Sequence, residues 1–148
     1  LRLPPVIISS PVNAGPVERP DIKPLRVLLA EDDVVNASMT AALLRKLGHE
    51  VQVVNDGYAA VTAIAANAHD VVFMDVHMPV MDGLEATRAI REMEKTTKRH
   101  LPIVALTANA LKGDDLLCLS AGMDAYLPKP VTVGALKDLL SWFSGGAT

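Results

Sequence analysis

Cysteine is almost missing from this sequence: Cys118 stands alone, so no internal disulfide can staple the chain, and a reducing compartment suits it. Aromatic residues are scarce as well, with one Trp, two Tyr and two Phe, and none is interleaved with basic residues as a nucleic-acid surface would need. Nor is there a basic excess. Fourteen Lys and Arg face seventeen Asp and Glu, so direct binding to nucleic acid or to a membrane surface is not expected. No apolar run approaches the roughly 20 residues of a bilayer crossing, and the N-terminus lacks the charged start and apolar core of a signal peptide. The expected location is cytoplasmic, even if a parent protein is membrane-anchored.

What is present suffices for one domain, since the chain has 148 residues and half of them are hydrophobic. Residues 1–24 hold six of the ten prolines and follow neither a helical nor an alternating apolar period. They read as an extended linker, with the apolar run at 6–8 a candidate for a sheet-edge contact, and they imply further chain upstream. The domain itself is expected over residues 25–143, followed by a short tail at 144–148.

From Leu25 onward, short Val-, Ile- and Leu-rich runs at 25–30, 51–54, 71–74, 102–106 and 125–127 alternate with helix-length segments. That rhythm is βα repeated five times. The first, third and fourth runs are apolar on both faces, as central parallel strands must be, whereas 51–54 alternates like an edge. In the first helix Val35, Met39, Ala42, Leu43 and Leu47 predict the buried face, with Gly48 as its C-terminal cap; in the last, Val133, Leu136, Leu140 and Phe143 do so. The expected fold is a three-layer α/β/α sandwich, flavodoxin-like, around a five-stranded parallel sheet in the order 2-1-3-4-5.

Ligands of such sheets bind outside the carboxyl ends of the strands. Those ends carry Glu31, Asp32 and Asp33 after the first strand, Asp75 after the third, Thr107 after the fourth and Lys129 beyond the fifth. Three carboxylates in one crevice need protons or a cation, and an all-oxygen donor set favours Mg²⁺, with Mn²⁺ able to substitute. A hydroxyl and an ammonium beside them suit a phosphoryl group. Asp33 and Asp82 read as helix N-caps, Gly83 as a turn residue, and Asp56 with Gly57 as a turn. His49, His69 and His100 read as surface residues, and Met74, Met78 and Met81 as packing around the loop after the third strand.

The segments "VLLAEDD", "VVFMDVHMPVMDG", "VALTAN" and "AYLPKP", in that order and spacing, closely resemble the receiver domain of two-component response regulators over residues 25–143. The "ALTANA…AGMDAYLPKP" ending and the proline-rich leader are most similar to receivers fused to hybrid sensor histidine kinases. The resemblance implies that Asp75 is the phosphoacceptor, attacking a kinase phosphohistidine. Asp32, Asp75 and the backbone carbonyl of His77 would then ligate Mg²⁺, with Glu31 acting through water. Lys129 and Thr107 would hold the phosphoryl oxygens, helped by the amides of His77 or Ala108. Tyr126 would fill space vacated by Thr107, coupling the site to the surface of the fourth helix, fifth strand and fifth helix.

The same resemblance implies a cis peptide at Lys129-Pro130, and roles for His77 and Asn109 in setting the lifetime of the acyl phosphate. A ring-nitrogen metal contact or a relay role for His77 finds no helical His-Glu context here. The implied partners are a histidine kinase, in the same chain or another, and a histidine phosphotransfer protein. The implied enzymology is limited to self-phosphotransfer and autodephosphorylation. Two rivals share parts of this pattern. A flavodoxin-like FMN binder would want hydroxyls and bare amides where this chain has acids. A metal-dependent aspartyl-phosphate phosphatase would want a second acid where His77 stands.

Overall fold

The computed structural model describes residues 24–66, 68–108 and 114–144; the run at 6–8, Asn109 and residues 145–148 lie outside them. Strands β1 (Arg26–Ala30), β2 (Glu50–Val54), β3 (Val71–Asp75), β4 (Ile103–Thr107) and β5 (Ala125–Pro128) alternate with helices α1 (Val34–Lys46), α2 (Gly57–Ala65), α3 (Gly83–Thr97), α4 (Asp114–Ala121) and α5 (Val133–Ser144). The sheet runs β2-β1-β3-β4-β5 with every pairing parallel, as the pattern of apolar runs predicts. Its switch point lies between β1 and β3, where the crossovers leave in opposite directions and the strand ends stand open.

Strand alternation divides the core into two layers. Leu29, Phe73, Leu106 and Leu127 face α1 and α5 and pack on Ala41, Leu44, Leu136 and Leu140. Ala30, Met74, Ala105 and Tyr126 face the other way, toward Ala60 of α2, Ala86 and Ile90 of α3 and Cys118 of α4. Each fully buried leucine contributes about 1.5–3 kcal/mol, so these layers supply most of the driving force for folding.

The face of α1 differs from the sequence expectation. Val35 and Met39 are 66% and 54% exposed, while Ala37, Thr40, Ala41 and Leu44 are buried. Small side chains let the helix lie close to the sheet, and the larger apolar residues are left outside. Leu43 and Leu47 are half-buried against the same layer, and Ala42 is exposed. In α5, Leu136 and Leu140 are buried but Val133 is 36% exposed; the side chain of Phe143 lies outside the described residues. Gly48 (φ +98°) closes α1 as expected: its amide donates to Arg45 O at 2.9 Å and that of His49 to Leu44 O at 3.1 Å.

Two histidines expected at the surface are buried. His49 accepts the Leu25 amide on Nδ1 at 3.0 Å, and His69 sets Nε2 2.9 Å from Gln52 Oε1. Burial lowers the pKa of both, aided at His69 by the nearby Arg26 guanidinium. His100 is exposed, as expected.

At the N-terminal end of the sheet Arg91 ties three chain segments together: α3, the lead into β4 and the α4–β5 connection. Its guanidinium donates to Gly122 O, Glu94 Oε1, Leu101 O and Asp124 Oδ2, all within 2.8–2.9 Å. Asp124 in turn accepts the Ile103 amide, and its other oxygen lies 2.7 Å from His100 Nε2.

Candidate functional site

Four strands end at one mouth, and their phase decides what reaches it. Glu31, Asp75 and Lys129 follow Leu29, Phe73 and Leu127 by two residues, so they continue the α1/α5 side of the sheet. Thr107 follows Ala105 by two and continues the opposite side, which it shares with Tyr126, the register partner of Ala105.

The result is a tight acidic cluster. Carboxylate oxygens of Glu31, Asp32 and Asp75 all lie within 4.8 Å of one another. Glu31 and Asp75 are buried and Asp32 is exposed, so the cluster opens to solvent on one side. Lys129 enters opposite, with Nζ 3.2 Å from Asp75 Oδ2 and 3.5 Å from Glu31 Oε1. Its backbone is anchored by its own amide, which donates to Thr107 O at 2.9 Å, and the Lys129-Pro130 peptide is cis. Thr107 is fully buried, Ala108 is exposed beside it, and Tyr126 is 4% exposed within the core.

Local backbone chemistry fixes the acids. The Asp33 amide donates to Glu31 Oε2 at 3.2 Å, while the Asp33 side chain accepts from Val35 N and Asn36 N and so caps α1. The His77 amide donates to Asp75 Oδ1 at 3.3 Å, and the His77 side chain is exposed. Beyond it the chain turns sharply at Val80 (φ +68°), with Met81 N donating to Pro79 O at 2.6 Å. Met78 and Met81 pack beneath that loop against the layer that buries Met74. Asp82 then caps α3 in a reciprocal capping box with Glu85.

Two glycines have a different role from the turns expected of them. A Cβ on Gly83 would collide with the Asp75 carbonyl, and one on Gly57 with the Met81 carbonyl. Both are therefore sites of close backbone approach that press α2 and α3 against β3 and the loop after it. Asp56 is an N-cap, accepting from Ala59 N at 2.8 Å, and Gly57 opens α2. An Asp-Gly pair fits either a turn or a helix start, and nothing local to it separates the two.

Electrostatics follow from one ammonium facing three acids. The Glu31 carboxyl is pushed up to about 7, first by burial and then by Asp75, which accepts a hydrogen bond from its protonated form and repels its charged form. Burial alone would lower the Lys129 ammonium, but the attraction and hydrogen bonding of Asp75, and then of Glu31, hold it above its ordinary value. The donors are hard oxygens in a partly open cleft with surplus negative charge, a set that fits a divalent cation of the Mg²⁺ type.

An acidic, lysine-bridged cleft at the switch point of a five-stranded doubly wound sheet defines the receiver class of signalling domain. The chain belongs to that family: the response regulator receiver domain model matches residues 27–141. It is 44% identical over 121 residues to the sensor protein GacS of Pseudomonas syringae pv. syringae, covering 81% of this chain and 13% of that one. It is also 35% identical over 142 residues to Histidine kinase 5 of Arabidopsis thaliana, covering 80% of this chain and 15% of that one.

Among solved structures it resembles the receiver domain of sensor histidine kinase PA1611 from Pseudomonas aeruginosa PAO1, which has a magnesium ion coordinated in its active site cleft. The TM-score is 0.73 at 44% identity, over 80% of this chain and 96% of that one. The receiver domain of Saccharomyces cerevisiae Ssk1, solved with the histidine phosphotransfer protein Ypd1, also gives a TM-score of 0.73, at 33% identity, over 80% of this chain and 87% of that one.

Proposed function

We propose that this domain is a phosphoacceptor switch in a His-to-Asp relay, with Asp75 receiving the phosphoryl group. The observation that carries this reading is the placement of Asp75 Oδ2 3.2 Å from Lys129 Nζ inside the three-carboxylate cluster. A carboxylate oxygen of Asp75 attacks phosphorus of a kinase phosphohistidine; the P–O bond forms, the P–N bond breaks, and the imidazole leaves with the bonding pair. Glu31, Asp32, Asp75 and the His77 carbonyl are the residues that would hold Mg²⁺, or Mn²⁺ in its place. Bound there, the cation offsets the charge of the acids and of the incoming phosphoryl group.

The protein's own groups do the positioning. Lys129 moves from its ion pair with Asp75 to the phosphoryl oxygens, Thr107 donates its hydroxyl, and the amides of His77 and Ala108 add donors. A new dianionic group draws Thr107 toward the site, and Tyr126, on the same side of the sheet, follows into the space it leaves. The surface of α4, β5 and α5 carries the change outward. His77 and Asn109 tune how quickly the acyl phosphate hydrolyses. The partners are a histidine kinase, possessed of its own receiver or acting from another chain, and a histidine phosphotransfer protein.

Residues 1–24 act as a linker and 144–148 as a tail. Among the described residues no helix is long and apolar enough to cross a membrane, and we place the domain in the cytoplasm. Incubation with Mg²⁺ and acetyl phosphate, read by intact mass, should add one phosphoryl group to the wild type and none to Asp75→Asn. A wild type that stays unmodified while its fold is intact overturns the proposal.

A further inference from the structure

The sheet has a second recess at the end remote from Asp75. Residues from the C-terminal turns of α2 and α3 and from the lead into β4 enclose a cleft of about 470 Å³, within the range of small-molecule pockets. Ile64, Ile90, Met93 and Leu101 give it apolar walls, and His69 forms part of the lining.

His69 is 6% exposed, and its ring is fixed from one side only. Gln52 Oε1, 2.9 Å from Nε2, can only accept, so the ring proton sits on Nε2. Nδ1 keeps a bare lone pair, enclosed and, among the described residues, without a hydrogen-bond partner. Buried polar atoms are almost always paired, so this one marks a place where a donor belongs. Glu94, Thr96, Thr97 and Arg99 add polar groups to the lining, but Nδ1 itself is too enclosed for a free water to reach it from the open cleft. The acid beside the cleft is already engaged: Glu94 binds Arg91 and the Leu101 amide.

We propose that this cleft binds a small, uncharged, largely apolar molecule carrying a single N–H or O–H group, which it donates to His69 Nδ1. The apolar body takes the place of water against Ile64, Ile90, Met93 and Leu101. Because Nδ1 is closed off from solvent, the donor reaches it by displacing lining side chains. Burial and Arg26 keep the ring neutral and thus an acceptor, although Asp70 pulls the other way.

The test uses indole as probe and indene as its donor-free counterpart, each titrated into the full chain and followed by NMR. Indole should give saturable shifts at Ile64, Met93 and Leu101, move the His69 Nδ1 resonance, and bind about tenfold more tightly than indene. His69→Phe should reduce indole to the affinity of indene. Ile64→Trp, with Ile64→Phe as a milder filling, should block both probes while amide shifts elsewhere report an intact fold. The proposal is overturned if indole gives no saturable shift up to its solubility limit. Equal affinity for the two probes, or binding that survives both fillings, overturns it as well.

Discussion

At the N-terminal end of the sheet Arg91 meets Glu94 and Asp124 with paired oxygens and backbone donors on every side, whereas at the C-terminal end three carboxylates share one lysine. The first cluster is saturated. Its guanidinium makes four short hydrogen bonds, and each carboxylate it binds also accepts a main-chain amide. The second carries surplus charge in a buried setting, which raises Glu31 to about 7. A saturated cluster has nothing left to offer a ligand and acts to hold α3, β4 and the α4–β5 connection together. An unbalanced one costs stability when empty and gains it when positive charge arrives.

Three measurements would break or sharpen that contrast. The largest effect belongs to Arg91→Ala, which strands two carboxylates and two carbonyls and should cost about 2–3 kcal/mol in urea denaturation. A loss below about 0.5 kcal/mol would put the saturated cluster in the class of ordinary surface pairs.

Glu31→Gln should act in the opposite direction. With the folded pKa at about 7 and the ordinary value at 4.5, the fold favours protonated Glu31. That contribution is complete below pH 4.5 and fades as pH rises through 7. In chelator at pH 8 the glutamine variant should therefore be more stable than the wild type, by on the order of 1 kcal/mol once solvent screening is allowed for. It should also lack this decline between the two values. An unchanged decline assigns it to another group.

His100→Ala should have the smallest effect, under about 0.5 kcal/mol, because the ring is 61% exposed and meets the cluster only at its rim, 2.7 Å from Asp124 Oδ1 and 3.9 Å from Glu94 Oε1. Denaturation of this variant beside Arg91→Ala separates the core of the cluster from its rim.

Sheet order and the residues of the mouth were legible because both depend on local signals: apolar runs of strand length, and the first polar residue after each. Asp33 and Asp82 were legible as caps for the same reason. The face of α1 was not, since close packing selected Ala37, Thr40 and Ala41 over the more hydrophobic Val35 and Met39, and a hydrophobicity pattern ranks them the other way. Burial of His49 and His69 depends on Leu25 and Gln52, which are distant in sequence. The Arg91 cluster joins residues 31 and 33 positions apart, and only its Arg91–Glu94 pair, three residues apart on one helix, is local. Gly83 was visible as a glycine, but its reason, the Asp75 carbonyl against its missing Cβ, exists only in three dimensions.

The alternation that puts Asp75 and Lys129 in phase with one hydrophobic layer, and Thr107 and Tyr126 with the other, has a mechanical meaning. Each layer is sealed from its neighbour by a sheet of main chain, so side chains above and below cannot ordinarily sense one another. A group attached at the sheet's rim, gripped from one side by an amine and from the other by a hydroxyl, would act as a rivet through that partition. News delivered to one storey of the molecule would then be felt in both.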